Sequence, residues 1–168
     1  MLITRPLLDS YLGKNISQIC PAGYHSPGDN HCAHFVSHVL NLRFGLTCSA
    51  MKGSRTPGVN IRVQEVFRNC PEAKELMECS MALPAGLIVV SDAKHFLSSP
   101  GFHEIRNVPA KHIGIYLLGN IWHYSNSGHQ VVSQDMTGFI HHYSRTAKTN
   151  ALWWASFPLG ANAEGFDD

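Results

Sequence analysis

The chain has 168 residues, 44% of them hydrophobic and 15% charged, with a formal net charge of +1. That length reads as one domain, residues 1–168, able to bury roughly 70% of the surface its unfolded chain exposes. The near-neutral balance, with no basic run interleaved with aromatics, argues against nucleic acid and against an anionic membrane surface as partners, and no apolar run approaches the ~20 residues of a membrane span.

The first ten residues, Met1 to Ser10, lack an apolar core followed by a cleavage site. The expectation is a chain made in the cytoplasm without a signal peptide, acting elsewhere only if a dedicated system exports it. Five cysteines, Cys20, Cys32, Cys48, Cys70 and Cys79, form no CxxC pair. They match neither a zinc ribbon nor a disulfide scaffold, and leave open one or two disulfides among the four other than Cys32.

In chain order, Leu7, Leu8, Tyr11, Leu12, Ile16 and Ile19 predict a first helix over 5–20, interrupted by Gly13. A Pro- and Gly-rich loop follows over 21–30. A helix then runs from Cys32 to about Phe44, with Gly45 as its stop. Residues 46–60 are irregular, and 61–79 are predicted helical with a break near Pro71. From Leu83 the period changes to that of strands. Leu83–Val90, His112–Leu118, Ile121–Ser125, Gln130–Ser133 and Ala151–Phe157 are the strand candidates. Residues 91–111 make a long polar connection, and the tail from about 160 is expected to be loose. Helices first and antiparallel strands afterwards indicate an α+β fold, with N-terminal helices packed on an antiparallel sheet.

The turn Pro27-Gly28-Asp29-Asn30 leads into the Cys32 helix. Phe35, Val36, Val39 and Leu40 stand three, four, seven and eight residues after Cys32, so the cysteine heads a buried stripe. A thiol in the first turn of a helix sits among unpaired N–H groups and the positive end of the helix dipole, which favour a thiolate and can later hold an oxyanion. Taken alone, Cys32 reads rather as a small core residue.

Two histidines downstream change that balance. With Gly119-Asn120 as a hairpin turn, Leu118 faces Ile121 and Tyr116 faces His123. His112 and His123 then lie on neighbouring strands and point to the same side. Helix stripe and strands together bring a nucleophile (Cys32), a general base and acid (His112) and an orienting group (His123) into reach.

These residues carry a family resemblance. Asp29-Asn30-His31-Cys32-Ala33-His34-Phe35-Val36 resembles the Asp-Cys-Ser-Gly-Phe-Val nucleophile motif of the NlpC-type cell-wall cysteine peptidases, a papain-like group. Leu83-Pro84-Ala85-Gly86-Leu87 resembles that group's Pro-Gly-Asp-Leu approach to a strand, and His112-Ile113-Gly114-Ile115-Tyr116 its His-Val-Gly-Ile-Tyr strand. His123 stands where the family places its third polar residue, and Tyr24 near a tyrosine that lines its site. The resemblance covers roughly residues 20–133. It departs in the two residues between Asp29 and Cys32, in Ala33-His34 after the nucleophile, and in the long 91–111 connection, a candidate wall or lid of the cleft. It implies a papain-like hydrolase of an amide bond in peptidoglycan stem peptides that needs no cofactor. The Cys32 N–H would be an oxyanion donor, with Tyr24 and His31 near the substrate. A leaderless member of that family resembles an antibacterial amidase effector of a type VI secretion system, which implies a cognate immunity protein, or a phage lytic enzyme.

Other readings compete. His31, His34 and His38 share one helix face and suggest a metal-dependent hydrolase, although a solvated histidine face is the simpler expectation and no metal site is assigned. The fold could serve as a non-catalytic binding domain with Cys32 in its core. Asn126 competes with His123 as the orienting residue. His141-His142 reads as a surface pair or a strand end, and His95, His103 and His129 as loop residues without a role.

Overall fold

The computed structural model describes residues 2–76, 82–146 and 150–161. Cys79, the stretch 77–79 of the expected 61–79 helix and most of the expected loose tail lie outside the described residues. The α+β expectation holds. Six strands form an antiparallel sheet in the order β1-β8-β2-β5-β6-β7. They are β1 (Ala73–Glu75), β2 (Gly86–Asp92), β5 (Lys111–Leu117), β6 (Asn120–Ser125), β7 (Gln130–Asp135) and β8 (Asn150–Ala155). A separate hairpin joins β3 (Phe96–Ser99) to β4 (Phe102–Ile105). The helices are α1 (Arg5–Asp9), α2 (Cys32–Leu40), α3 (Cys48–Lys52), α4 (Val63–Arg68) and α5 (Met136–Thr146).

β2 reads as an unbroken apolar run because both of its faces are covered. Leu87 and Val89 join Ile113, Ile115 and Trp122 beneath Phe35, Val36 and Leu40 of α2. Ile88 and Val90 join Tyr116, Ile121 and Trp154 around Phe139 of α5 on the other face. Burying such side chains contributes about 1.5–3 kcal/mol each, so this two-sided layer carries much of the stability.

Several expectations are corrected. The first predicted helix is two short pieces, α1 and a 3-10 turn at Ile16–Gln18, because Gly13 turns the chain with φ +75°. α2 ends at Leu40, not near Phe44. Asn41 adopts the left-handed conformation (φ 55°) and hands its N–H back to Ser37 O, so Gly45 is not the stop. Among its described residues the 61–79 segment is helical over α4 and then enters β1. The 91–111 connection holds the β3–β4 hairpin, anchored on α4 by Arg68 to Glu104 at 3.1 Å and by His103, which donates from Nε2 to Phe67 O at 3.1 Å. His103 is therefore a strand residue with a structural bond. α5 was not expected, and of the two readings of His141-His142 the surface pair holds: both lie on α5, exposed.

The β5–β6 turn is made by Leu118 (φ 47°) and Gly119 (φ 85°), with Leu117 opposite Asn120 and Tyr116 opposite Ile121. The register thus differs by two residues from expectation. A two-residue slip leaves every side chain on its original face, so alternation cannot detect it. Close packing does: a Cβ on Gly114 would lie 3.0 Å from His123 Cβ and 2.6 Å from Ile121 Cγ2, so only glycine accommodates this pairing.

Candidate active site

Gly114 clears the space in which His123 leans toward His112. Their rings meet edge to face, centroids 4.9 Å apart, and His112 Nε2 lies 2.9 Å from His123 Nδ1. His123 Nε2 lies 2.9 Å from Gln134 Oε1. An amide oxygen only accepts, so His123 Nε2 carries a proton and donates it. A neutral His123 then accepts at Nδ1, and His112 donates from Nε2. That leaves His112 Nδ1 unprotonated. The relay Gln134–His123–His112 therefore fixes one tautomer and exposes one base.

The sequence reading missed Gln134. Its signal lay in the β6–β7 pairing, where Gln134 faces Ile121 and so shares a sheet face with His123. Asn126, the rival orienting residue, contacts neither imidazole among the described contacts. Its Oδ1 accepts the His31 N–H at 2.9 Å, and its Nδ2 donates to Asn30 Oδ1 at 3.0 Å, tying the β6–β7 turn to the start of α2.

α5 supplies the rest of the relay's surroundings. Tyr143 stacks on His112 with centroids 5.0 Å apart, and buried Phe139 abuts His123 at 5.2 Å. Burial lowers both imidazole pKa values, His123 to about 4 and His112 well below its ordinary value, so both rings are neutral near pH 7.

Cys32 heads α2 as expected, and 1% of it is exposed. The expected preference for a thiolate is overturned. Burial pushes the thiol up to about 11, against N–H groups of Ile113, Ala33 and Cys32 itself that favour the anion. The expected delivery of the thiol straight from the helix stripe to His112 is also corrected. α2 packs on the sheet face that carries Ile113 and Ile115, whereas His112, His123 and Tyr116 face α5. The two approach each other around the first residues of β5, where the Ile113 amide, one residue from His112, favours the anionic form of Cys32. Tyr143 senses both sides: its phenol is held well above its ordinary value by burial and then by the charge of a Cys32 thiolate.

Two cavities flank this point. One, about 590 Å³, is lined by His112, His123, Gln134, Tyr143 and Asn150 among others. The other, about 290 Å³, is lined by Cys32 with Arg62, Gln64 and Val108. Asn30, Pro109 and Lys111 line both. Asn30 accepts the Cys32 N–H at 3.0 Å and donates to Lys111 O at 3.2 Å. The expected oxyanion donor is therefore engaged by a side chain in this state. From the 91–111 connection the two ends, Ser91 and Asn107 to Lys111, reach the site; the hairpin lines a separate cavity with Pro71, Glu72 and Trp153.

Tyr24 and His31 do not line either cavity. Their rings pack on each other at 5.4 Å and on His34, beneath α2. The expected solvated histidine face is in fact interior, with His31 and His34 buried and His38 half-buried. No family model, curated protein or solved structure matches the chain.

Proposed function

We propose that the protein is a cysteine amidase that hydrolyses an amide bond in peptidoglycan stem peptides. The observation that carries the hydrolase reading is the polarised relay Gln134–His123–His112, whose base stands one residue along β5 from Ile113, which packs in the same core as Cys32. The substrate class rests on the four blocks that resemble the NlpC-type peptidases, and a papain-like arrangement belongs to the same proposal.

The resting pair is neutral. In the reaction the Cys32 sulfur attacks the amide carbonyl while its proton passes to His112 Nδ1. The imidazolium then gives that proton to the departing amine, leaving a thioester. Water, deprotonated by the same nitrogen, attacks the thioester, and the thiol leaves with the returned proton. His123 and Gln134 hold the ring and its tautomer throughout. The step requires the sulfur to reach His112 around the start of β5, so the Asn30 contacts must open as substrate enters.

Digestion of purified peptidoglycan by the wild-type chain and by Cys32→Ala, with fragments read by mass spectrometry, tests this. New amine and acid termini that vanish in the variant name the bond. Unchanged peptidoglycan with wild type, together with a Cys32 thiol that resists alkylation while substrate peptides are present, would favour the binding-domain reading with Cys32 as a core residue. An export route and an immunity protein that plugs the larger cavity belong to the same proposal.

A further inference from the structure

Beneath α2, away from the relay, Cys20, His34, His38 and Cys48 converge. One ligand atom from each lies within 4.8 Å of all the others. They come from three segments: the loop after the Ile16–Gln18 turn, adjacent turns of α2, and the first residue of α3. We propose that these four side chains bind one zinc ion in a closed, tetrahedral Cys2His2 site.

The distances fit. His34 Nε2 and His38 Nε2 are 3.2 Å apart, and the nitrogen–nitrogen edge of a tetrahedron around zinc is about 3.4 Å for bonds of 2.0–2.1 Å. The tautomers fit as well. His31 Nε2 lies 2.8 Å from Ser26 O, so that nitrogen carries the proton and His31 Nδ1 accepts. His34 Nδ1, 3.2 Å away, must then donate, which leaves His34 Nε2 a bare lone pair aimed at His38 and the two sulfurs. A backbone carbonyl acting through His31 thereby sets the ligand nitrogen, as outer-sphere partners do for metal-bound histidines.

Cys48 Sγ accepts the Val59 N–H at 3.4 Å. Cys20, His34 and Cys48 are buried, at 4%, 0% and 0% exposed. Without a cation, a ring proton on His38 would satisfy His34 and leave two buried sulfurs facing the same dry space. A dication satisfies all four ligands at once, and two thiolates with two neutral imidazoles bring the site to zero net charge. Binding releases the two thiol protons to solvent. Two sulfurs and two nitrogens select zinc over harder cations, and four protein ligands leave no open position, so the ion is structural. It ties the loop after Ile16–Gln18 and α3 to the helix that carries Cys32. The inference stands apart from the amidase reading and needs no peptidoglycan to test.

The experiment is metal analysis of the full chain, followed by cobalt exchange and absorption spectroscopy. The expected result is one zinc per chain. The cobalt form should show the intense visible bands of tetrahedral cobalt and thiolate charge-transfer absorption. Cys48→Ser and His38→Ala should alter or abolish those bands, whereas Cys70→Ser, whose thiol bonds Val66 O at 3.4 Å, should leave them intact. His31→Ala should weaken zinc about 10- to 100-fold in a chelator competition. A metal-free chain with native circular dichroism and no cobalt bands would overturn the proposal. So would a mass lower by two hydrogens with Cys20 joined to Cys48. Should the ligand variants fail to fold, the wild-type cobalt spectrum and chelator competition still decide it.

Discussion

Two histidine groups lie on opposite sides of one sheet and use one device. In each, an oxygen acceptor fixes an outer imidazole, which fixes an inner one. Gln134 Oε1 acts through His123 on His112 at 2.9 Å, and Ser26 O acts through His31 on His34 at 3.2 Å. In each, the inner ring is left with one bare nitrogen. The surroundings decide what that nitrogen can do. His112 borders a cavity of about 590 Å³, and Cys32 lines a second cavity across the wall formed by Asn30, Pro109 and Lys111. His34 faces His38 and two sulfurs in a closed space. An accessible lone pair is a base, and an enclosed one among three further donors is a ligand.

Changes to the relay should therefore silence chemistry while leaving the cobalt spectrum of the closed group untouched. The largest effect belongs to the nucleophile. Cys32→Ala should remove peptidoglycan cleavage by at least ~10³-fold with circular dichroism unchanged, and His112→Ala should do nearly the same. Cleavage that survived in Cys32→Ala would sink the division of labour between the two groups.

Phe139 tests how far the relay depends on its backing. It is fully buried in α5, against His123 at 5.2 Å. Phe139→Ala should cost about 3–5 kcal/mol in urea unfolding, because the cavity cannot refill from a two-sided layer. Cobalt bands that changed together with this loss would mean that the two faces are not independent.

These two tests rest on features of unequal legibility. The α2 stripe was readable because a period of 3.6 survives where one side is buried, and β2 and the His112 strand because two covered faces leave short apolar runs bounded by turn residues. α5 was not: Met136 to Thr146 is polar over much of its length, and only Phe139 and Tyr143 declare a buried side. The hairpin register could not be read either, since a two-residue slip preserves both faces and only Gly114's crowding against His123 decides it. Cys32 and the two histidines were found by residue type. Gln134 was missed because it is an ordinary strand glutamine until β6 and β7 are paired. The dipole argument for Cys32 was correct in sign but smaller than the cost of burying a charge.

Gln134→Leu removes the acceptor that sets the relay's tautomers. His112 can then carry its proton on Nδ1, where it is useless as a base, so kcat should fall about 100-fold with KM little changed. Gln134→Glu should restore much of that activity and move the acid limb of the rate profile upward, since a carboxylate favours imidazolium. In the wild type that limb should lie well below 6.5, following the lowered value of His112, the base. Stability follows the same groups. For His123 the folded pKa, about 4, lies below the unfolded one, so the unfolded chain binds more protons between about pH 4 and 6.5, and His112 acts in the same direction. The contribution of these buried neutral rings is complete above 6.5 and is lost as pH falls through that window. Chemical denaturation at pH 7 and pH 5 measures it, and a chain equally stable at both would contradict neutral burial of the pair.

The smallest effect concerns the wall between the two cavities. Asn30 holds the Cys32 N–H, the Lys111 carbonyl and the Asn126 amide with one side chain, and all three contacts lie near the surface. Water replaces most of their energy when they break, so their net worth is about 1 kcal/mol. Asn30→Ala should therefore raise the population in which the sulfur is accessible about fivefold. Iodoacetamide capture of Cys32, followed by peptide mass spectrometry at fixed pH, reads that change directly, and Cys70 in the same digest reports any general loosening. Faster capture at Cys32 alone would identify the Asn30 bridge as what keeps the sulfur from the His112 cavity. Equal acceleration at both cysteines would mean that Asn30 only steadies the fold, and that the sulfur is shielded by the packing of α2 on β5.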